Sequence, residues 1–397
     1  MASICLCFQV HQPYPLRPYS FFDIGAGADY LDAQASAAQI ATFAKQCYLP
    51  ANRKLLQLIG RHGDKFQVAF LVSGVLLEQW ERYAPEVIAS FRELVDTGCV
   101  EMLAGTYYHS LSFLYNREEF FSQILLHRQK VWEHFGQNPR VLANAALLHG
   151  NHLGYFARKM GLDGMICEAM PAALRGRNPN HIFHPPDTPT MKLLPRHRGL
   201  SEDISLRFSD SGWEHFPLRA ETYAQWLRHA GGDVATLYIE YESLGYHHPA
   251  SSGIFDFWDR LPDTLIQDHG MDFVSPSTAI FRYGSHGGYD VPGFEVAGGA
   301  GLRFQPGKDD PLQAGALRKI YELGGVVMAS RDESLIRTWS QLQAVDYFSN
   351  MNREKNGVHS QEGRPGAFIS PYDAYIYFLN IIADFQLRIK SAEKPAG

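Results

Sequence analysis

A chain of 397 residues with 36 Lys+Arg against 42 Asp+Glu can bury a large core and is nearly balanced in charge. It carries no basic footprint for nucleic acid and no polybasic membrane patch, and no stretch approaches the roughly 20 apolar residues of a membrane span. Five scattered cysteines (Cys5, Cys7, Cys47, Cys99, Cys167) without CxxC spacing argue against a disulfide framework or a zinc site, and predict buried reduced thiols in a cytoplasmic protein.

In chain order, "ASICLCFQVHQPY" reads as a strand running into a His-Gln-Pro turn. Apolar residues at three- and four-residue spacing predict helix over Tyr30–Leu58. A strand is expected over Phe66–Val72, a helix over Ala84–Asp96, a third strand over Cys99–Leu103 and a long helix over Arg117–Phe135. The fourth strand is expected over Arg140–Leu147, with a helix over His152–Met160 and a fifth strand over Gly164–Cys167. Val234–Tyr241 reads as a strand, Ile254–Leu261 as a helix and Asp272–Val274 as a short strand.

Alternating strands and helices imply a parallel sheet with crossovers. No Gly-rich phosphate loop follows the first strand, so a nucleotide-binding doubly wound sheet is disfavoured and a barrel, complete or incomplete, is the stronger choice. From Gly287 the chain turns Gly-rich ("GGYDVPGFEVAGGAG") and marks a boundary; Pro311–Leu323, Arg331–Leu342 and Tyr372–Ile389 then read as helices. Two regions are expected: a barrel over 1–286 and a mainly helical C-terminal region over 287–397 that completes the site.

In a barrel, the groups just after each strand face one common site. These are His11 and Gln12, then Tyr107, Tyr108 and His109, then Ala145 and Ala146 with His149 close behind, then Glu168. Strand alternation puts Glu240 and Glu242 on one face. Histidines, tyrosines and carboxylates together suit a polyhydroxylated ligand and glycosidic chemistry. A second chemistry is open: His149 and His152, three apart, with His11 or His109, form a candidate metal set for a deacetylase-type hydrolase. Against it, no carboxylate beside them completes a recognised motif. The Asp203–Arg207 pair, four apart, reads as structural.

The strand with "HQPY", the run from Ser73 to Leu111 and "YIEYESLG" (Tyr238–Gly245) resemble glycoside hydrolase family 57, in its short α-amylase-like branch. So do "LSEDISLRFSD", "DPLQAGALRKIYEL" and "SPYDAYIYFLNIIADF". The resemblance implies an incomplete (β/α)7 barrel, TIM-like, followed by the helical region. It further implies a starch-, glycogen- or maltooligosaccharide-type ligand and no cofactor. It also implies a retaining pair, a Glu nucleophile and an Asp acid/base, which the chemistry requires about 5–5.5 Å apart.

This chain departs from that pattern. The nucleophile motif, Asn-Thr-Glu-Leu in the branch, is matched by Asn144-Ala145-Ala146-Leu147, so Ala146 holds the nucleophile position. The acid position carries Glu240, longer by one methylene than the family's Asp. Asp346 is kept but its neighbours differ, and "VAGGAGLRFQPGKDD" replaces a Trp- and Asp-rich motif. Three readings follow: an α-glucan binder with a degenerate retaining site and weak or no hydrolysis; an active hydrolase or 4-α-glucanotransferase using Glu168 or Glu242 as substitute carboxylate; and the metal-dependent hydrolase. His11, His109, Glu240, Glu242 and Asp346 are expected to converge at the barrel mouth, with Tyr107 and Tyr108 on its rim; Gln12 is assigned to the substrate-binding set.

Overall fold

The computed structural model describes residues 3–27, 29–296, 310–353 and 370–392. Its centre is a ring of parallel strands: β1 (Ser3–Val10), β2 (Val68–Val72), β3 (Val100–Met102), β4 (Val141–Ala143), β5 (Gly164–Glu168), β7 (Lys192–Arg196) and β8 (Val234–Glu240). β1 pairs in full with β8, from Ser3↔Val234 to Gln9↔Glu240, and with β2, from Leu6↔Val68 to Val10↔Val72. The ring continues through β2–β3 and β4–β5–β7. Two seams are thin: β3 reaches β4 through the single bridge Ala104↔Leu142, and β7 reaches β8 only at Arg196↔Thr236.

The thin seam at β7 has a structural cause. β6 (Ile182–His184) pairs antiparallel with β7 at Phe183↔Leu193, outside the ring. A strand over Ser285–Gly288 then pairs with β6. Toward the base β6, backed by this strand, occupies the edge of β7 that β8 takes only at the top. The result is an incomplete (β/α)7 barrel, split at its base.

Strand alternation divides the core. Ile4, Leu6 and Phe8 of β1 pack outward against the helices, while Cys5 and Cys7 point into the barrel with Ala69, Leu71, Ile166 and Tyr238. The cysteines are free; four are buried and Cys99 is partly exposed. The C-terminal helices Pro311–Glu322, Glu333–Gln341 and Pro371–Ala392 form their own apolar cluster with the β4–β5 side of the barrel. Among the described residues no helix is long and apolar enough to cross a membrane.

Several expectations shift. The helix over Tyr30–Leu58 is two helices, Ala33–Phe43 and Leu49–His62, joined by a π-turn at Ala44–Tyr48. The fourth strand stops at Ala143 instead of Leu147, because Ala146 and Leu147 take left-handed φ of 52° and 49° that no strand accommodates. Asp272–Val274 makes only single bridges, from Phe273 to Ile4 and Phe66. Sequence reading misses β7, which contains Pro195, and β6, only three residues long. Of the Gly-rich stretch, residues 287–296 are described and 297–301 lie outside the described residues.

At one contact, glycine is required sterically. A Cβ on Gly74 would stand 2.2 Å from the ring of Tyr107, whose hydroxyl is anchored on Glu78 at 2.8 Å. Gly74→Ala is expected to destabilise by about 2 kcal/mol or more, read by urea unfolding. Adding Tyr107→Ala should shrink that loss; an unchanged urea midpoint in Gly74→Ala would discount the contact.

Candidate active site

The C-terminal strand ends surround a cavity of about 140 Å³, lined by Gln9, His109, Ala146, Arg196, Glu202 and Ser205, and by Tyr238, Glu240, Val345, Asp346 and others. This is smaller than the roughly 300–1,000 Å³ of drug-sized ligand sites and is on the scale of a single sugar ring. Three of its wall residues are carboxylates.

His11 continues β1 and is held at both nitrogens, Nδ1 to Ser73 Oγ at 2.7 Å and Nε2 to Asp346 Oδ2 at 2.8 Å. His109 approaches the same oxygen at 3.4 Å, and the two rings lie 4.0 Å apart between centroids. Burial alone would raise the Asp346 carboxyl. The paired histidines outweigh it and hold the group well below the usual carboxylate range, as an anion whose side chain remains 32% exposed. Burial, then the neighbouring His11, lower His109 in turn. The ligand atoms of His11, His109 and Asp346 lie within 4.8 Å of one another, close enough to share a cation. Asp346 reaches this place because Val345 N donates to His109 O at 3.0 Å and Tyr347 Oη to Tyr14 O at 2.8 Å, fastening the helix Val345–Ser349 over the mouth.

Ala146 also lines the cavity. β4 ends, Asn144 Oδ1 accepts from Ala145 N at 3.0 Å, and the chain turns through the left-handed pair. His109 is left-handed too, at φ 52°. Backbone strain gathered round one cavity is the pattern of a functional site.

Glu240 closes β8 beside Gln9, with its side chain 56% exposed and His247 at 3.7 Å. Glu242 does not share that face. After Glu240 the backbone bends into a short 3-10 turn, which buries Glu242 against the Tyr48 hydroxyl at 2.9 Å. Burial there pushes its carboxyl up to about 7. Glu168 is also behind the wall. Arg196 donates to its Oε2 at 3.2 Å while Oε1 is buried with no partner among the described residues. Burial raises it and Arg196 pulls it back.

Tyr107 and Tyr108 are not rim residues. They are 3% and 6% exposed and pack with Val75 beneath the helix Gly74–Tyr83. Gln12 is buried, its side chain accepting from Gln39 at 2.7 Å. His149 is buried and His152 exposed, and neither belongs to a potential metal cluster among the described residues. Instead His149 exchanges backbone hydrogen bonds with Glu295. The next residue, Gly150, lies where a Cβ would stand 2.5 Å from Gly293 O.

Sequence reasoning misses Glu202 and Arg196. Glu202 ends the helix Arg198–Glu202, accepts from Arg198 at 2.8 Å and lines the cavity. The signal available was an i,i+4 pair, which by itself reads as a solvated helix face. The π-turn Asp203–Arg207, closed by its own ion pair, follows and brings Ser205 to the cavity.

Fold and mouth together define a glycoside-hydrolase-type barrel. The model of Glycosyl hydrolase family 57 matches residues 5–292, and the chain belongs to that family. A Methanocaldococcus jannaschii protein whose name assigns it provisionally as an alpha-amylase is 30% identical over 402 residues, covering 96% of this chain and 84% of its own. In fold the chain is similar to a family 57 branching enzyme of Thermococcus kodakaraensis (TM-score 0.69, 13% identity, 98% of this chain and 90% of that one). It is similar also to 4-alpha-glucanotransferase of Thermococcus litoralis (0.68, 12%, 97% of this chain), of whose length it spans 60%. A third likeness is to the alpha-amylase AmyC of Thermotoga maritima (0.64, 11%, 99% of this chain and 94% of that one).

Proposed function

We propose that this protein binds an α-glucan of the starch, glycogen or maltooligosaccharide class in the barrel mouth, through a retaining site of the α-amylase-like branch that has lost its nucleophile. The observation that carries the reading is Ala146, a methyl group in a cavity wall otherwise rich in groups that bond hydroxyls: Gln9, His109, Arg196, Glu202, Glu240 and Asp346. A methyl group cannot attack an anomeric carbon, so the covalent step has no agent at that position. Glu240 keeps the acid position and Asp346 a permanent negative charge. In this reading 1–286 supply the barrel and 287–397 complete the site through Val345 and Asp346. Free buried thiols suit a reducing compartment such as the cytoplasm.

A second reading, an active hydrolase or glucanotransferase with a substitute carboxylate, is favoured by Glu202. Unlike Glu168 and Glu242, it lines the cavity. Calorimetry with maltoheptaose, followed by long incubation and product analysis, separates the two. Binding without products is expected. Hydrolysis by the unaltered chain would defeat the pseudoenzyme reading, and its loss in Glu202→Gln would then name the replacement.

A further inference from the structure

The base of the barrel, at the end opposite the mouth, carries a second convergence of ligating side chains. His181 precedes β6, Asp233 precedes β8, and His286 lies in the strand Ser285–Gly288. Asp233 Oδ2 is 2.9 Å from His181 Nδ1 and 2.7 Å from His286 Nε2. The imidazoles stack at 3.8 Å between centroids, 27° apart in plane. All three ligand atoms lie within 4.8 Å of one another, and each side chain is partly open to solvent.

The geometry points to a binding site for a divalent transition-metal ion, Zn²⁺ by preference, held by His181, Asp233 and His286. Two imidazole nitrogens and one carboxylate oxygen form the borderline donor set that Zn²⁺ takes. Ligand atoms bonded tetrahedrally at 2.0–2.1 Å stand roughly 3.3 Å apart, so each nitrogen would move about half an ångström away from Asp233 Oδ2 to reach that spacing. Partial exposure leaves the remaining position to water.

The backbones beneath these ligands are already fixed. Asp233 N donates to Asn180 O at 2.8 Å and Ser3 N to Asp233 O at 2.8 Å. Arg177 donates to His286 O at 3.3 Å and to Gly288 O at 2.7 Å. Ser285 pairs with Ile182. The three ligands come from three segments that meet where β7 and β8 are not laddered to each other, so the ion would staple the split in the barrel. The inference is independent of glucan binding.

The test is calorimetric titration of ZnCl₂ into tag-free, chelator-treated full-length protein. One ion at the base is expected; an ion taken by His11, His109 and Asp346 would appear as a second one, lost in His109→Ala. His286→Ala should weaken the base ion by more than the roughly tenfold to hundredfold lost with a mere supporting hydrogen bond, while His109→Ala, in the mouth, leaves it intact. The absence of binding, or binding that survives His286→Ala undiminished, overturns the assignment; loss of all binding in His109→Ala would move the ion to the mouth. The Co²⁺ form of the unaltered chain gives a readout independent of any variant. A visible spectrum of nitrogen and oxygen ligation is expected; a thiolate charge-transfer band would put the ion on a cysteine and overturn it too.

Discussion

Replacing Ala146 with glutamate should give this protein measurable turnover on an activated α-maltoside, on the order of a hundredfold or more above the unaltered chain. Ala146 is already left-handed at φ 52° and already carries a Cβ, so the substitution adds no new backbone penalty. Its carboxylate would enter the cavity shared with Glu240, His109 and Asp346. There it can attack the anomeric carbon while Glu240 protonates the leaving oxygen. The anionic Asp346 shares the cavity, so the new carboxyl should titrate above the usual carboxylate range; because it must be ionised while Glu240 holds its proton, the rate should be bell-shaped in pH. Glu240 is one methylene too long for an acid placed by an Asp. Adding Glu240→Asp should therefore raise the rate by roughly another hundredfold, the size of effect attached to about 1 Å of misplacement. A folded double variant that binds maltoheptaose and still releases no product would sink the assignment of Ala146 to the nucleophile position.

How much of this was legible in the sequence depends on the range of the interaction that decides each feature. Apolar runs placed most of the ring strands, since burial inside a barrel leaves a local pattern. β7 escaped because Pro195 interrupts its run, and Ser285–Gly288 because "SHGG" reads as a loop. The nucleophile position of Ala146, and Asp346 altogether, become visible only through resemblance. Nothing local marks either, and Asp346 lies 335 positions from its partner His11. Strand alternation puts Glu242 on the face of Glu240 only by continuing a two-residue period past the point where β8 ends. Tyr107 and Tyr108 are polar-tipped residues at a strand end, and sequence alone does not show the helix that covers them. Glu202 was hidden by the opposite ambiguity: a charge pair that looks solvated is in fact half turned toward the cavity.

Substituting His149 with leucine should make the protein markedly more resistant to acid. Burial pushes His149 down to about 3, and both ring nitrogens are buried without a partner among the described residues. In the unfolded chain its pKa returns to about 6.5. As pH falls below that value the unfolded state takes up a proton that the native state refuses, so stability is lost at up to roughly 1.4 kcal/mol per pH unit. His127, lowered to about 4 by burial and committed to Val72 O at 2.7 Å, acts in the same direction. Glu242 opposes them. Its folded pKa of about 7 is raised, so its contribution is full at low pH and is lost as pH rises toward neutrality. The profile of the unaltered chain is the sum of these, but the difference between it and His149→Leu isolates one group. At pH 7.5 the variant should match the parent or exceed it by about 1–2 kcal/mol, since a buried ring without hydrogen bonds is removed. By pH 4 its advantage should grow by about 3 kcal/mol, a large share of a typical domain's 5–15 kcal/mol. Urea unfolding of both proteins at the two pH values reads the difference directly, and parallel profiles would mean that His149 is not held neutral in the fold. The same histidine follows the turn that presents Ala146. A gain in acid stability through His149→Leu would thus show that the imidazole behind this turn is held neutral by burial.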